Sequence, residues 1–357
     1  MNRNNNGTMG NIRPLLWRIF RDLRWPLLAT ALLTFIFPLI WSMIAKRMLG
    51  QIGPFFEMLG QMGGITEKEI EAVLFDGPGK LIKTLLGGDR IDLNQAMDFL
   101  SVCLVHPTML TILPLWAISR STQAISGEID RGTMELLLAQ PISRFGVWLG
   151  HLIAESTAML VIATVGVSGL VLGSWIISPL EIKPIDPSLM PRKPAIIAEI
   201  GPFRLRLEDP IRDRLAKKQT TTTSDRLIIR PLAFVWAMPQ LFGFMAAISG
   251  MGIVLSVLIR RRFIALGVGV LILLTMFLVN LLGQLWEPLE PFRPLCFYYY
   301  YIPQEAALGR LAHVDFRQWF GPGRVSVSSL AIQLGVAVIG WLTALYFFRK
   351  KDIPAPL

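Results

Sequence analysis

FGVWLGHLIAESTAMLVIATVGVSGLVLGSWII, residues Phe145 to Ile177, runs for 33 residues with a single charge, Glu155. About 20 apolar residues in a helix cross the roughly 30 Å hydrocarbon core of a bilayer. Five further runs carry no charge: Trp25–Ala45, Phe99–Ser119, Pro231–Ile259, Phe263–Trp286 and Val325–Phe348. All must be helical, because lipid offers no partner to a backbone amide or carbonyl. Barrel strands need only about 9–11 alternating residues, so runs of this length are not strands. The chain reads as an all-α polytopic membrane protein with six transmembrane helices, at about 25–45, 99–119, 145–177, 231–259, 263–286 and 325–348.

Composition agrees. Of 357 residues, 53% are hydrophobic and 17% charged, against about 45–50% and 25% in soluble domains. That excludes an ordinary soluble enzyme, and 10 Trp with 20 Phe exclude disorder. Two cysteines make no disulfide framework. The net charge of +10 reports orientation rather than nucleic acid. Segments 1–24, 120–144, 260–262 and 349–357 hold 14 basic and 5 acidic residues. Segments 46–98, 178–230 and 287–324 hold 21 basic and 19 acidic. Short basic loops stay inside, so both termini are expected in the cytoplasm of a cell-membrane protein, although Lys46 and Arg47 oppose this. The first run is too long for a removable signal peptide.

Before span one, Leu15, Leu16, Ile19, Phe20 and Leu23 recur at helical spacing, with Arg18 and Arg21 between them. Residues 1–24 are therefore expected to carry an interfacial amphipathic helix; the alternative is an extension of span one. Loop 46–98 contains a capping box from Thr66 to Glu69. Loop 178–230 is Pro-rich, then basic, with a Thr220–Thr223 patch followed by Ser224. Residues 195–230 are a small outer-face subdomain, a partner-docking arm or an ill-ordered insertion. Tyr298, Tyr299, Tyr300 and Tyr301 suit an interface anchor, or alternatively an outer gate.

Motifs for chemistry are few. Asp76-Gly-Pro-Gly79-Lys80-Leu81 lacks the first glycine and the hydroxyl of a phosphate-binding loop. His106, His151 and His313 show no metal-ligand spacing, so no metal site is expected. No G-x-S-x-G stands in the chain. No catalytic residue is assigned, and the chain is not expected to be an enzyme. His151 and Glu155 stand one turn apart in span three as an intramembrane polar pair, structural or functional. Pro38 should kink span one, and Pro107 and Pro114 span two.

Between spans two and three lies GEIDRGTMELLLAQPISR, residues 127–144. It reads as a short helix with Thr133 placed to cap it, Glu135 in its first turn, an apolar surface of Met134, Leu136, Leu137 and Leu138, and Pro141 to stop it. Ser143 can cap span three. A helix so short needs something to lie against.

This segment resembles the hallmark of the type-2 exporter permeases of ATP-binding-cassette (ABC) transporters, through Glu128, Arg131, Gly132, Thr133, Glu135, Leu137, Leu138, Pro141, Ser143 and Arg144. The phrase from Pro294 through Tyr298–Tyr301 to Pro303, and the ending Phe348-Arg-Lys-Lys-Asp-Ile353, resemble two further family segments. The resemblance implies a permease subunit, working with a second permease as a homodimer or heterodimer. A separate cytoplasmic ATPase subunit would hold the ATP and magnesium; this chain would hold no cofactor. Residues 133–140 would be the coupling helix, and the cargo would be exported. Two other readings remain: an ABC subunit transmitting force to an outer-face partner through loops 46–98 and 178–230, and a membrane enzyme or scaffold outside ABC systems.

Overall fold

The computed structural model describes residues 12–63, 95–140, 142–179, 197–200, 203–206, 228–321 and 325–351. The capping box at 66–69, the Gly-Lys stretch at 76–81, the threonine patch and Pro141 lie outside them. Helix α1 spans Arg13–Gly63, α2 Ala96–Val105, α3 Pro107–Gln123, α4 Ser126–Asp130, α5 Met134–Leu138 and α6 Arg144–Ile177. Strands β1 (Ile197–Ile200) and β2 (Phe203–Arg206) pair antiparallel within the long loop. Helix α7 covers Met238–Leu258 after a 3-10 turn at Pro231–Ala237, and α8 covers Arg262–Leu285. Two 3-10 stretches, Glu287–Leu295 and Phe297–Tyr300, precede α9 (Pro303–Ala307), β3 (His313–Asp315), α10 (Arg317–Phe320), β4 (Ser326–Ser328) and α11 (Ser329–Lys350).

Six of these stretches are long and apolar enough to span a membrane: Arg13–Leu49, Ala96–Gln123, Arg144–Ile177, Pro231–Leu258, Arg262–Leu285 and Ser329–Lys350. The chain is a multi-pass membrane protein. Each span falls on an expected run, with two differences at the ends. Span six starts at Ser329, because Val325 to Ser328 lead into it partly as β4, paired with β3. Residues 13–24 form no separate interfacial helix; they continue into span one as one 51-residue helix. Its apolar stripe of Leu15, Ile19 and Leu23 is buried, and Leu15 and Ile19 lie over Gly150 of span three. Periodicity reveals an apolar face but not what covers it, and here a neighbouring helix does.

Span four is the most enclosed and packs on spans two, three and six. Its sequence is apolar all round, as a helix with neighbours on every side requires. Small residues let the helices approach, as membrane packing favours. At the crossing of spans four and six, a Cβ on Gly340 would stand 2.7 Å from Gly250 Cα. Span three meets span one in the same way, where a Cβ on Gly173 would stand 2.7 Å from Ser42 Cβ.

Span two breaks at His106–Pro107, as that proline predicts, whereas Pro38 and Pro114 lie inside uninterrupted helices. Thr108 N–H, the amide that a continuous helix would direct to Leu104, instead donates to His106 Nδ1 at 3.2 Å. Leu104 O accepts from Tyr301 Oη at 2.8 Å. The freed carbonyl thus has a partner 197 residues away.

Candidate functional site

The end of the bundle holding residues 12 and 351 carries the segment with the family-like motif. Helix α4 begins where Ile125 N–H and Ser126 N–H both donate to Ser256 Oγ at 2.9 Å, on span four. It ends in a Schellman turn: Thr133 N–H donates to Glu128 O at 3.0 Å and Gly132 N–H to Ile129 O at 3.0 Å. That turn places Gly132 at φ 68°, a left-handed conformation that glycine adopts without steric cost. Arg-Gly-Thr is therefore the chemistry of a reversal between two short helices.

Glu128 is the hub of the turn. Its carboxylate accepts from Arg131 Nη2 at 2.8 Å, Thr133 Oγ1 at 2.5 Å and Arg18 Nη2 at 3.1 Å. Burial pushes this carboxyl up. The Thr133 hydroxyl and the Arg18 and Arg131 guanidinia outweigh that and hold it below the usual carboxylate range. Thr133 does not cap α5 with its side chain, contrary to the sequence expectation; its hydroxyl goes back to Glu128, the nearest strong acceptor. Ser143 does cap span three, accepting from Gly146 N–H at 3.0 Å.

Helix α5 is anchored from below. Met134 and Leu137 are buried in a core with Leu15 and Ile19 of span one, Val147 and Trp148 of span three, Val257 of span four and Phe348 of span six. Leu136 points the other way and is 70% exposed. The expected leucine surface thus divides: Leu137 holds the helix down and Leu136 faces out, with Glu135 partly exposed beside it. The side chain of Leu138 lies outside the described residues.

Further ties bind this end together. Arg144 Nη1 donates to the carbonyls of Phe348, Arg349 and Lys351 at 3.0, 3.2 and 2.6 Å, satisfying the open end of span six. Lys351 Nζ donates to Val257 O at the end of span four; burial, then Arg260, lowers its pKa. Asp130 pairs with Arg262 of span five at 3.5 Å. The turn is thus joined to spans one, four and five, and its flank to span six. Arg18, Ser256 and Arg262 escaped the sequence reading as partners. A basic residue inside the apolar stripe of span one was the available signal for Arg18; nothing marked Ser256.

His151 and Glu155 share a face of span three but are not hydrogen-bonded to each other. Glu155 Oε2 accepts from Ser249 Oγ of span four at 2.7 Å. Both ring nitrogens of His151 have no hydrogen-bond partner among the described residues.

At the opposite end, Tyr298 to Tyr301 are 3–9% exposed, not spread as anchors at a water boundary. Tyr299 Oη donates to Asp315 O at 2.8 Å and Tyr300 Oη to Pro294 O at 2.5 Å. The Tyr301 ring stacks on Phe244 at 4.3 Å. Burial pushes the Tyr300 hydroxyl up to about 12, with Tyr299 and Cys296 adding to the effect. The tyrosines form a packed plug in which Tyr299 and Tyr300 tie loop carbonyls and Tyr301 ties the freed carbonyl of span two. Among the described residues no group of His, Cys, Asp and Glu could hold a metal ion.

Comparison with curated proteins gave no match. The family comparison is decisive: residues 17–353 match the family described as ABC-2 family transporter protein. That match takes in the six spans and the Glu128 turn, and the chain belongs to this family as the membrane-spanning permease subunit of an ABC transporter.

Proposed function

We propose that the chain couples ATP hydrolysis on a separate cytoplasmic ATPase subunit to export of a substrate across the cell membrane, with both its termini in the cytoplasm. Residues 133–140 are the coupling helix. The observation that carries this reading is the exposed Leu136 beside Glu135, on a turn whose other face is fixed by Met134, Leu137 and the Glu128 hub. An apolar residue on a held turn fits a groove of a partner, and force on it reaches several spans together. ATP shifts the spans only by binding one arrangement better than another. A second permease copy or sister subunit completes the pathway.

The test is purification from the native membrane in mild detergent, with Glu135→Lys/Leu136→Asp as the comparison. An ATPase subunit should accompany the native chain and be lost from the double variant. If no ATPase accompanies the native chain, or if the variant retains it, the assignment fails.

A second reading, force transmitted to a partner on the outer face, is favoured by the β1–β2 hairpin in the long loop. Deleting residues 195–226 separates the two. Loss of a co-purifying outer partner with ATP turnover intact supports force transmission; intact export without the segment supports the exporter.

A further inference from the structure

Behind the coupling turn lies a set of polar groups that the turn does not use. Glu155 and His151 are 2% and 5% exposed on span three. Ser249 of span four satisfies only Oε2 of Glu155. Oε1 of Glu155, both His151 ring nitrogens and Arg120 Nε on span two are buried and have no hydrogen-bond partner among the described residues. Arg120 lies within electrostatic reach of both Glu155 and His151. A buried polar atom without a partner is costly, so four on residues within electrostatic reach of one another are not left dry in a native fold.

Their chemistry is complementary. Glu155 Oε1 accepts and Arg120 Nε–H donates, while a neutral imidazole does one of each. A small molecule that both donates and accepts satisfies all of them, and water is that molecule.

The surrounding charges define what the site can exchange. Span two contributes Arg120, and span one Arg18 and Asp22; the turn contributes Glu128 and Arg131. The described helix of span four is without charge, and it offers the Ser249 hydroxyl. Span six carries Arg349, over the Phe145 ring, and Lys350, over the Tyr346 ring, both at its end. Arg120 also lies within electrostatic reach of Asp22, an exposed carboxylate that has Arg21 at 3.9 Å.

From this geometry we propose that Arg120, His151, Ser249 and Glu155 enclose an internal hydrated site where Glu155 takes up and releases a proton, with Arg120 as its counter-charge. A hydronium ion passes its proton to Oε1, leaving water and a neutral carboxylic acid. The reverse step returns the proton to water. The proton takes the Glu155 carboxylate from −1 to neutral and leaves the Arg120 guanidinium at +1. The site stands independently of the ATPase assignment, since no residue in it belongs to the exposed face of the turn.

The test is infrared spectroscopy of the full chain in nanodiscs, titrated from alkaline to acid pH in water and in heavy water. One carboxylic C=O band should grow as pH falls, shift in heavy water, be lost in Glu155→Gln and move in Ser249→Ala. The proposal is overturned if Glu155→Gln and the native chain give the same spectra. It is also overturned if the band keeps constant intensity, or if it is unmoved by heavy water, which marks a dry carboxyl. Should Glu155→Gln not fold, Ser249→Ala decides: an unmoved band removes Glu155 from the site.

Discussion

Arg18 and Glu128 stand 110 residues apart in the chain and 3.1 Å apart in space. The contact joins the foot of span one to the turn between spans two and three. Arg18 is about one-third exposed and Glu128 largely buried, so the two sides of the pair are not equivalent. Arg18→Ala should lower stability by about 1 kcal/mol, the upper end for a partly solvated pair. Glu128→Ala should cost about 3 kcal/mol, because it strips a partner from two guanidinia and a hydroxyl. Thermal unfolding in detergent measures both, and equal losses would contradict the hub geometry.

The same carboxyl sets a pH dependence. Its folded pKa is held below the ordinary carboxylate value. Its stabilisation is therefore complete above the unfolded-state pKa and is lost as pH falls through the folded one. The stability gap between the native chain and Glu128→Gln should be widest near neutral pH and close in acid. A gap that widened in acid would show the sign to be wrong.

Gly132 isolates a backbone effect. A Cβ there meets nothing within 4 Å, yet φ is 68°. Gly132→Ala should cost about 1 kcal/mol through the left-handed conformation alone, and Gly132→Asn less, since asparagine tolerates that region. A melting series of the three proteins checks the order.

Gly340 and Gly335 lie on the same helix and make a matched pair. Alanine at 340 would press on the Gly250 backbone, whereas at 335 it meets nothing within 4 Å. Gly340→Ala should destabilise by about 1–3 kcal/mol and Gly335→Ala should leave the melting temperature nearly unchanged. Equal effects would remove the close crossing of spans four and six.

Tyr301→Phe deletes one oxygen and leaves Leu104 O without its partner at the break in span two. The expected loss is about 1–2 kcal/mol. Hydrogen exchange should rise around residues 104–108 before it rises elsewhere in span two; uniform exchange would contradict the local role.

Six spans were legible because length and absence of charge are properties of single segments. Ser143 was legible as a cap for the same reason, since its partner is three residues on. What crosses between segments was not. The stripe of Leu15, Ile19 and Leu23 looks the same whether lipid or span three covers it. Four consecutive tyrosines read as wet at one edge, but here they are buried and carbonyls take the hydroxyls of Tyr299, Tyr300 and Tyr301. His151 and Glu155 have the spacing of a pair, yet Ser249 on another helix reaches the carboxylate first. Thr133 has the position of a cap, and Glu128 draws its hydroxyl away.

The interruption at His106–Pro107 splits span two into rods of ten and seventeen residues. The shorter rod leans on the tyrosine plug and span one, and the longer on spans four and five. A continuous helix could tilt only as one body. Here the joint's main-chain groups already answer to His106 and Tyr301, so the two rods can turn by different angles without opening a helical hydrogen bond. Motion at the end holding the turn need not be copied at the other; span two is a gear with two ratios rather than a lever with one.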